Sequence, residues 1–221
     1  MLDVHLSTMR EVLRAGIAIY NAGRYHAAHD AWEGRWLELE RGTADERLLH
    51  GLIQFTAAIH HAHGRNWVGA QGLAESACGY LDRLPADYHG LDLDAIRSYC
   101  SLLGTDPETI ERGPVPVLTY EGEPLDLDDL RFEPAAIAAR VVAAEHGSSE
   151  ERGGSFDEET IERAIDYARA DLDAGNETSP FVTLVMDFAQ DDANRAIAYQ
   201  RIVQHVERRS DRDDDVEGLF D

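Results

Sequence analysis

Residues 20–36 read YNAGRYHAAHDAWEGRW and combine a chain turn with a helix rich in histidine, acidic residues and tryptophan. Gly23 suits the left-handed conformation that follows many helices, so the turn beginning at Asn21 is expected to end a first helix. A second helix should follow this turn directly. Six of the ten histidines lie between His26 and His63. This part of the chain is therefore where we expect a functional site.

Working towards the C-terminus, short signals mark the start and end of two further helices. Gly42 breaks the second helix, and Thr43 and Glu46 have the spacing of a capping box, which predicts that a third helix starts there. Apolar residues cover most of the circumference of the third helix, so we expect it to be central and buried. Asn66 is a suitable cap for a fourth helix, which Pro85 should end.

The second half of the chain is more acidic than the first. Residues 1–110 hold 15 acidic and 9 basic residues, whereas residues 111–221 hold 28 and 11. Short extended pieces around Gly122 predict at most a small hairpin, and helical periodicity resumes after it. We therefore expect an all-α protein with a compact domain of about five helices at 1–110. An acidic helical extension packed on this domain should cover 111–209, and a disordered acidic tail 210–221.

The bulk charge restricts the classes of partner. The chain has 43 acidic residues and 20 basic ones, all arginine, for a net charge of −23. Such a chain repels phosphate backbones and anionic membrane surfaces, so no nucleic-acid or membrane partner is expected. An acid-rich, lysine-free surface is typical of proteins that work in molar salt, where self-repulsion is screened. An acidic domain that binds a basic partner is the alternative. We favour the halophilic interpretation because the acidic residues are dispersed through helical, core-forming segments.

Other sequence features favour a cytoplasmic location. No apolar run approaches the length of a membrane span, and the N-terminus lacks the pattern of a signal peptide. Only Cys78 and Cys100 are present, which is too few for a disulfide framework and fits a reducing compartment. A homo-oligomer remains open, and the sequence does not identify a small-molecule ligand.

The second and third helices are expected to bring polar side chains together. His29 and Glu33 lie one turn apart on the second helix, and Gln54 and His61 share a face of the third. An antiparallel arrangement of the two helices would face these strips towards each other. The candidate polar cluster or ligand pocket comprises His29, Trp32, Glu33, Trp36, Gln54, His61 and Asn66.

Four interpretations of this cluster remain open. It could be a structural hydrogen-bond network that fixes helix register, or an aromatic-lined pocket for a small ligand. His29 and Glu33 could work as a general acid–base pair. His29, Glu33 and His61 could also hold a divalent metal with an open position for water. Our main hypothesis is an uncharacterised protein with a structural network or ligand pocket. The alternative is a metal-dependent hydrolase-type enzyme that uses those three residues, and a divalent metal is the one cofactor indicated.

The spacing of these residues resembles a known family. Tyr20-Asn21-x-Gly23-x-Tyr25, then His29-Asp30-x-Trp32-Glu33-x-x-Trp36, and later Gly51-Leu52-Ile53-Gln54 followed by Asn66-x-x-Gly69-Ala70 are similar to the domain of unknown function 309. The resemblance covers roughly residues 8–84. It implies a small all-α domain and no assigned reaction. The family's signature positions fall on Asn21, Gly23, His29, Trp32, Glu33, Trp36, Gln54, His61, Asn66 and Gly69.

Overall fold

The computed structural model describes residues 7–147, 156–176 and 178–217. The described chain is all-α, with two very small two-stranded sheets. The described residues form nine α-helices in all, whereas about five were expected for the compact domain at 1–110 alone. By contacts it divides into two compact units, Met1–Leu130 and Arg131–Asp221. The first unit contains five of the helices, and the second contains the other four.

The first unit has helices α1–α5 followed by short irregular elements. Its helices are α1 (Met9–Asn21), α2 (Tyr25–Glu38), α3 (Ala44–His63), α4 (Trp67–Leu81) and α5 (Leu93–Thr105). Its strands are β1 (Asp87–Tyr88), β2 (Leu91–Asp92), β3 (Thr119–Tyr120) and β4 (Glu123–Pro124), paired as two antiparallel hairpins. Two 3₁₀ helices cover Pro107–Glu111 and Leu127–Asp129. The predicted hairpin near Gly122 is therefore present, whereas the hairpin of β1 and β2 was not predicted.

Side-chain caps place the helix starts in this unit. The Thr8 hydroxyl accepts a hydrogen bond from the Glu11 N–H, and the Glu11 carboxylate accepts one from the Thr8 N–H, so α1 starts at Met9. The predicted caps Thr43 and Asn66 are confirmed at the starts of α3 and α4. Gly23 has φ of 77°, the predicted left-handed conformation.

Helix α3 is the central helix of the first unit, as predicted. It contacts α2 on one side and α4 on the other. Leu48, Leu52, Phe55 and Ile59 are fully buried within it. Each such side chain contributes about 1.5–3 kcal/mol to folding, so α3 supplies much of the hydrophobic stabilisation.

Asn21, at the end of α1, fixes the backbone of the later irregular segment. Its amide donates to the carbonyl oxygens of Leu118 and Leu125, each at 2.9 Å, and its Oδ1 accepts from the Leu118 N–H at 2.9 Å. The Tyr20 hydroxyl donates to the Pro116 carbonyl at 3.0 Å. The last residues of α1 therefore hold residues 116–125 through side-chain-to-backbone bonds.

The second unit is built around α8. Its helices are α6 (Phe132–Gly147), α7 (Glu158–Asp173), α8 (Pro180–Gln190) and α9 (Arg195–Glu217). Ser179 caps α8 with Pro180 at its first position, as predicted, and α8 contacts the other three helices. A disordered acidic tail was expected at 210–221, but helix α9 continues through that segment to Glu217. Residues 218–221 lie outside the described part of the chain. Across the described residues, no helix is long and apolar enough to cross a membrane.

Candidate functional site

A buried carboxylate, Glu46, lies at the centre of the polar contacts between α2 and α3. Its side chain is only 10% exposed. Its Oε1 accepts hydrogen bonds from the Trp36 indole N–H at 3.1 Å and from His50 Nδ1 at 3.2 Å. Its Oε2 accepts one from the Gly42 N–H at 3.1 Å. Both carboxylate oxygens therefore have partners, as a buried charge requires.

The pKa of Glu46 reflects two opposing effects. Burial raises the pKa because it disfavours the charged carboxylate. Hydrogen bonds from Trp36, Gly42 and His50 stabilise the carboxylate, and together they hold the pKa below its ordinary value. Glu46 is therefore ionised at neutral pH, and its contacts stabilise the folded unit.

His50 extends this network to α4. Its ring lies 4.7 Å from the Trp36 ring and stacks on Tyr80, with ring centroids 3.8 Å apart. The Glu46 network, defined as Trp36, Glu46, His50 and Tyr80, thus joins three helices. The sequence analysis placed Trp36 in a polar cluster but paired it with different residues.

Trp32 is a core residue. Its side chain is fully buried. A Cβ atom built on Gly16 of α1 would lie 2.0 Å from the Trp32 indole nitrogen, so the missing side chain of Gly16 makes room for the ring. The Trp32 ring thus packs between α1 and α2. Because it is fully buried, it does not line an open pocket.

His61 and Asn66 form a cap at the start of α4. Asn66 Oδ1 accepts from the Gly69 N–H at 3.1 Å, so its amide nitrogen faces His61 Nδ1, 2.7 Å away. Nδ1 of His61 is therefore the acceptor, and in the neutral ring the proton is on Nε2. This hydrogen bond occupies the lone pair that a metal would use.

His29 and Glu33 lie together on α2, whereas Gln54 does not join them. The His29 Nε2 and Glu33 Oε1 atoms are 3.7 Å apart. Gln54 is partly exposed on α3, and its side-chain amide makes no hydrogen bond to another described residue. The proposed seven-residue cluster thus falls into separate groups: the His29–Glu33 pair, the His61–Asn66 cap, Trp36 in the Glu46 network, and Trp32 in the core.

A second group on α2 has the composition of a metal site. His26, His29 and Asp30 can each present one ligand atom, and these atoms all lie within 4.8 Å of one another. His60 of α3 is adjacent, with its ring centroid 5.7 Å from that of His26. His60 is exposed, but desolvation of its ring by the surrounding protein and the neighbouring histidines His26, His61 and His63 lower its pKa. We call the three residues of α2, His26, His29 and Asp30, together with His60 of α3, the α2 histidine cluster.

Sequence reasoning identified one member of this cluster as a ligand and missed the others. Helical spacing placed His26 and Asp30 beside His29, but spacing alone does not show which residue of α3 stands opposite. Glu46 was assigned only to a capping pattern. An acidic residue one helical turn before a histidine, as in Glu46 and His50, within an otherwise apolar helix was the available signal.

Comparison with known proteins supports the family resemblance over a limited range. Residues 13–73 match the family model described as Domain of unknown function (DUF309). No curated protein matches the sequence. The match begins in α1 and ends within α4, so it contains the α2 histidine cluster and most of the Glu46 network. Residues 13–73 of this chain are a domain of the DUF309 family.

Proposed function

We propose that this protein is a cytoplasmic small-ligand-binding protein whose ligand is a divalent transition-metal ion, held at the α2 histidine cluster. The observation that carries the proposal is the mutual approach, within 4.8 Å, of ligand atoms from His26, His29 and Asp30. The net charge of −23 supports a function without a nucleic-acid partner.

The donor set fits zinc, nickel or copper better than magnesium or calcium. Imidazole suits the later transition metals, and a carboxylate can complete the set. Ligand atoms around tetrahedral zinc lie about 3.4 Å apart, given metal–ligand distances of about 2.1 Å. The separations here, all within 4.8 Å, exceed this value by at most about 1.4 Å. Because the His26 side chain is 64% exposed, its ring is free to turn inwards.

His60 is suited to serve as a fourth ligand. Its lowered pKa keeps the ring neutral at neutral pH, and a neutral imidazole is the form that binds a metal. Its ring already faces His26 across the α2–α3 interface. Binding would therefore link the two helices and stabilise the folded form.

Calorimetric titration of untagged protein with Zn²⁺ and Ni²⁺ tests the proposal. We expect one ion per chain, with the dissociation constant raised at least about tenfold, or ~1.4 kcal/mol, in His26→Ala and in Asp30→Asn. His63→Gln is the matched control, because His63 lies on the same helix as His60 but stacks on Tyr25. Absence of stoichiometric binding, or equal losses in the control, would refute the site.

We further propose that the Glu46 network is structural. Its support is that donors from α2, from the turn after it and from α3 satisfy both oxygens of the buried Glu46 carboxylate. Such a network fixes the register of three helices by requiring all its partners at once.

A metal-dependent hydrolase using His29, Glu33 and His61 is the second candidate. The 3.7 Å approach of His29 and Glu33 favours it, since a carboxylate beside a metal ligand can act as a base. The engagement of His61 Nδ1 by Asn66 disfavours it. Hydrolysis of an activated ester by the zinc-loaded protein, lost in Glu33→Gln while zinc binding persists, would establish this candidate over simple metal binding.

A further inference from the structure

A groove between α3 and α4 carries positive charge on an otherwise acidic protein. Its volume is about 320 Å³, and it is lined by Arg47 from α3 and by Ser76, Gly79, Tyr80 and Arg83. The last four residues are spaced by three, one and three positions, so they lie on one face of α4 and the turn that follows it. No acidic residue is among these five. Tyr80 belongs both to this groove and to the Glu46 network.

Neither arginine of this groove has an acidic partner. Most arginines elsewhere in the described chain are paired, as in Arg65 with Glu111 and Arg169 with Glu133. By contrast, the guanidinium groups of Arg47 and Arg83 make no ion pair or hydrogen bond with any described residue. This is unexpected in a chain with 43 acidic and 20 basic residues. Two uncompensated guanidinium groups facing one groove create a local site for an anion.

The other residues that line the groove supply hydrogen-bond donors and, at Gly79, unoccupied space. The hydroxyl groups of Ser76 and Tyr80 have no hydrogen-bond partner in the described part of the chain. A Cβ atom built on Gly79 would meet nothing within 4 Å, so the glycine is not required by protein packing. A glycine inside a helix costs about 1 kcal/mol relative to alanine, and here its effect is to keep the groove open.

The Glu46 network fixes one wall of the groove. Tyr80 stacks on His50 at 3.8 Å, and His50 is hydrogen-bonded to the buried Glu46. The orientation of the Tyr80 ring is therefore set before any ligand arrives. A preformed wall reduces the entropy that a ligand must lose when it binds.

A second groove, in the unit Arg131–Asp221, differs because acidic residues line it together with arginines. It has a volume of about 340 Å³ and includes arginines, but Asp171 and Asp213 also line it. Arg209 there is paired with Asp171 at 2.7 Å. Its positive charge is compensated by the protein, so it lacks the property that distinguishes the groove between α3 and α4.

We propose that the groove between α3 and α4 binds a small phosphate monoester. Arg47 and Arg83 contact the phosphate oxygens through their planar donor groups, and the hydroxyls of Ser76 and Tyr80 donate further hydrogen bonds. The volume is within the range of small-molecule pockets, about 300–1,000 Å³. This site is separate from the α2 histidine cluster and does not depend on metal binding there.

Calorimetric titration with inorganic phosphate and with phenyl phosphate tests this proposal, in the lowest salt that preserves full helicity. We expect saturable binding of one phosphate per chain, with phenyl phosphate binding more tightly because its ring adds apolar contact. The double variant Arg47→Gln/Arg83→Gln should weaken phosphate binding at least about tenfold. Arg201→Gln is the matched control, since Arg201 is an exposed arginine without a described partner outside the groove.

A steric variant and a vesicle test separate the remaining outcomes. Gly79→Leu places a side chain in the groove without touching protein atoms at its Cβ, so it should abolish phosphate binding while helicity is retained. Unchanged binding in Gly79→Leu or in the double arginine variant would overturn the proposal, as would the absence of saturable binding. Co-sedimentation with vesicles containing phosphatidic acid, without binding of free phenyl phosphate, would assign the groove to a lipid headgroup and overturn the small-molecule ligand.

Discussion

Replacing Gly16 with alanine tests how closely α1 packs against Trp32. The new Cβ would lie 2.0 Å from the indole nitrogen and 2.2 Å from Cε2, whereas carbon atoms normally approach to about 3.5–4.0 Å. Because Trp32 is fully buried, the ring has no free space to enter. Overpacking lowers the free energy of unfolding by about 1–3 kcal/mol, and an overlap of this size should give a loss near the upper end of that range. Alanine favours the helix over glycine by about 1 kcal/mol, which offsets part of this loss. The free energy of unfolding should therefore fall by about 2 kcal/mol.

Urea denaturation followed by tryptophan fluorescence measures this loss. All three tryptophans, Trp32, Trp36 and Trp67, lie in the first unit, so the signal reports on that unit. With a denaturant slope of about 2 kcal/mol per molar, the midpoint should fall by about 1 M. Gly34→Ala is the matched control because a Cβ there meets nothing within 4 Å, and it should stabilise by about 1 kcal/mol. Equal midpoints for the two variants would refute the packing argument.

Two further predictions concern Glu46 and the net charge. The folded-state pKa of Glu46 is held below its ordinary value of 4.5, so its contribution to stability is present above that pH and is lost as the pH falls through the lowered pKa. The urea midpoint of Glu46→Gln should therefore fall below that of the unmodified protein at pH 7, and the difference should shrink as the pH falls below the ordinary pKa of 4.5 and through the lowered one. A difference that stays constant with pH would contradict this account. If halophilic adaptation explains the charge of −23, helicity by circular dichroism should decrease when potassium chloride is lowered from molar to about 0.1 M, where the screening length reaches ~10 Å. Unchanged helicity would favour an acidic domain with a basic partner.

Local sequence signals predicted much of the helical structure because the physical causes lie within a few residues. Thr43 and Asn66 cap α3 and α4 as expected, since each side chain bonds to a backbone N–H three residues later. Ser179 and Pro180 start α8 for the same kind of reason. The expected count of about five helices applied to the compact domain at 1–110, whereas the described residues form nine α-helices in all.

The arrangement of side chains between helices was less predictable. The spacing of Trp32 showed that it shares a face with Trp36, but its burial depends on Gly16, a residue on another helix with no side chain to signal a contact. The pairing of Thr43 and Glu46 indicated a capping box, yet the Glu46 carboxylate turns instead to Gly42, Trp36 and His50. These choices depend on relative helix positions, which periodicity does not encode.

The hydrogen bonds of Asn21 have a consequence for how the protein can be divided. The family match ends at residue 73, inside α4, whereas Asn21 within the match binds the backbone of Leu118 and Leu125 beyond it. A polypeptide cut at the end of the match would split α4 and leave the Asn21 amide without these partners. We therefore expect the segment matched by the family model to be shorter than the smallest piece that folds by itself. That piece is expected to extend to Leu130, so the downstream residues act as an integral scaffold for the family domain.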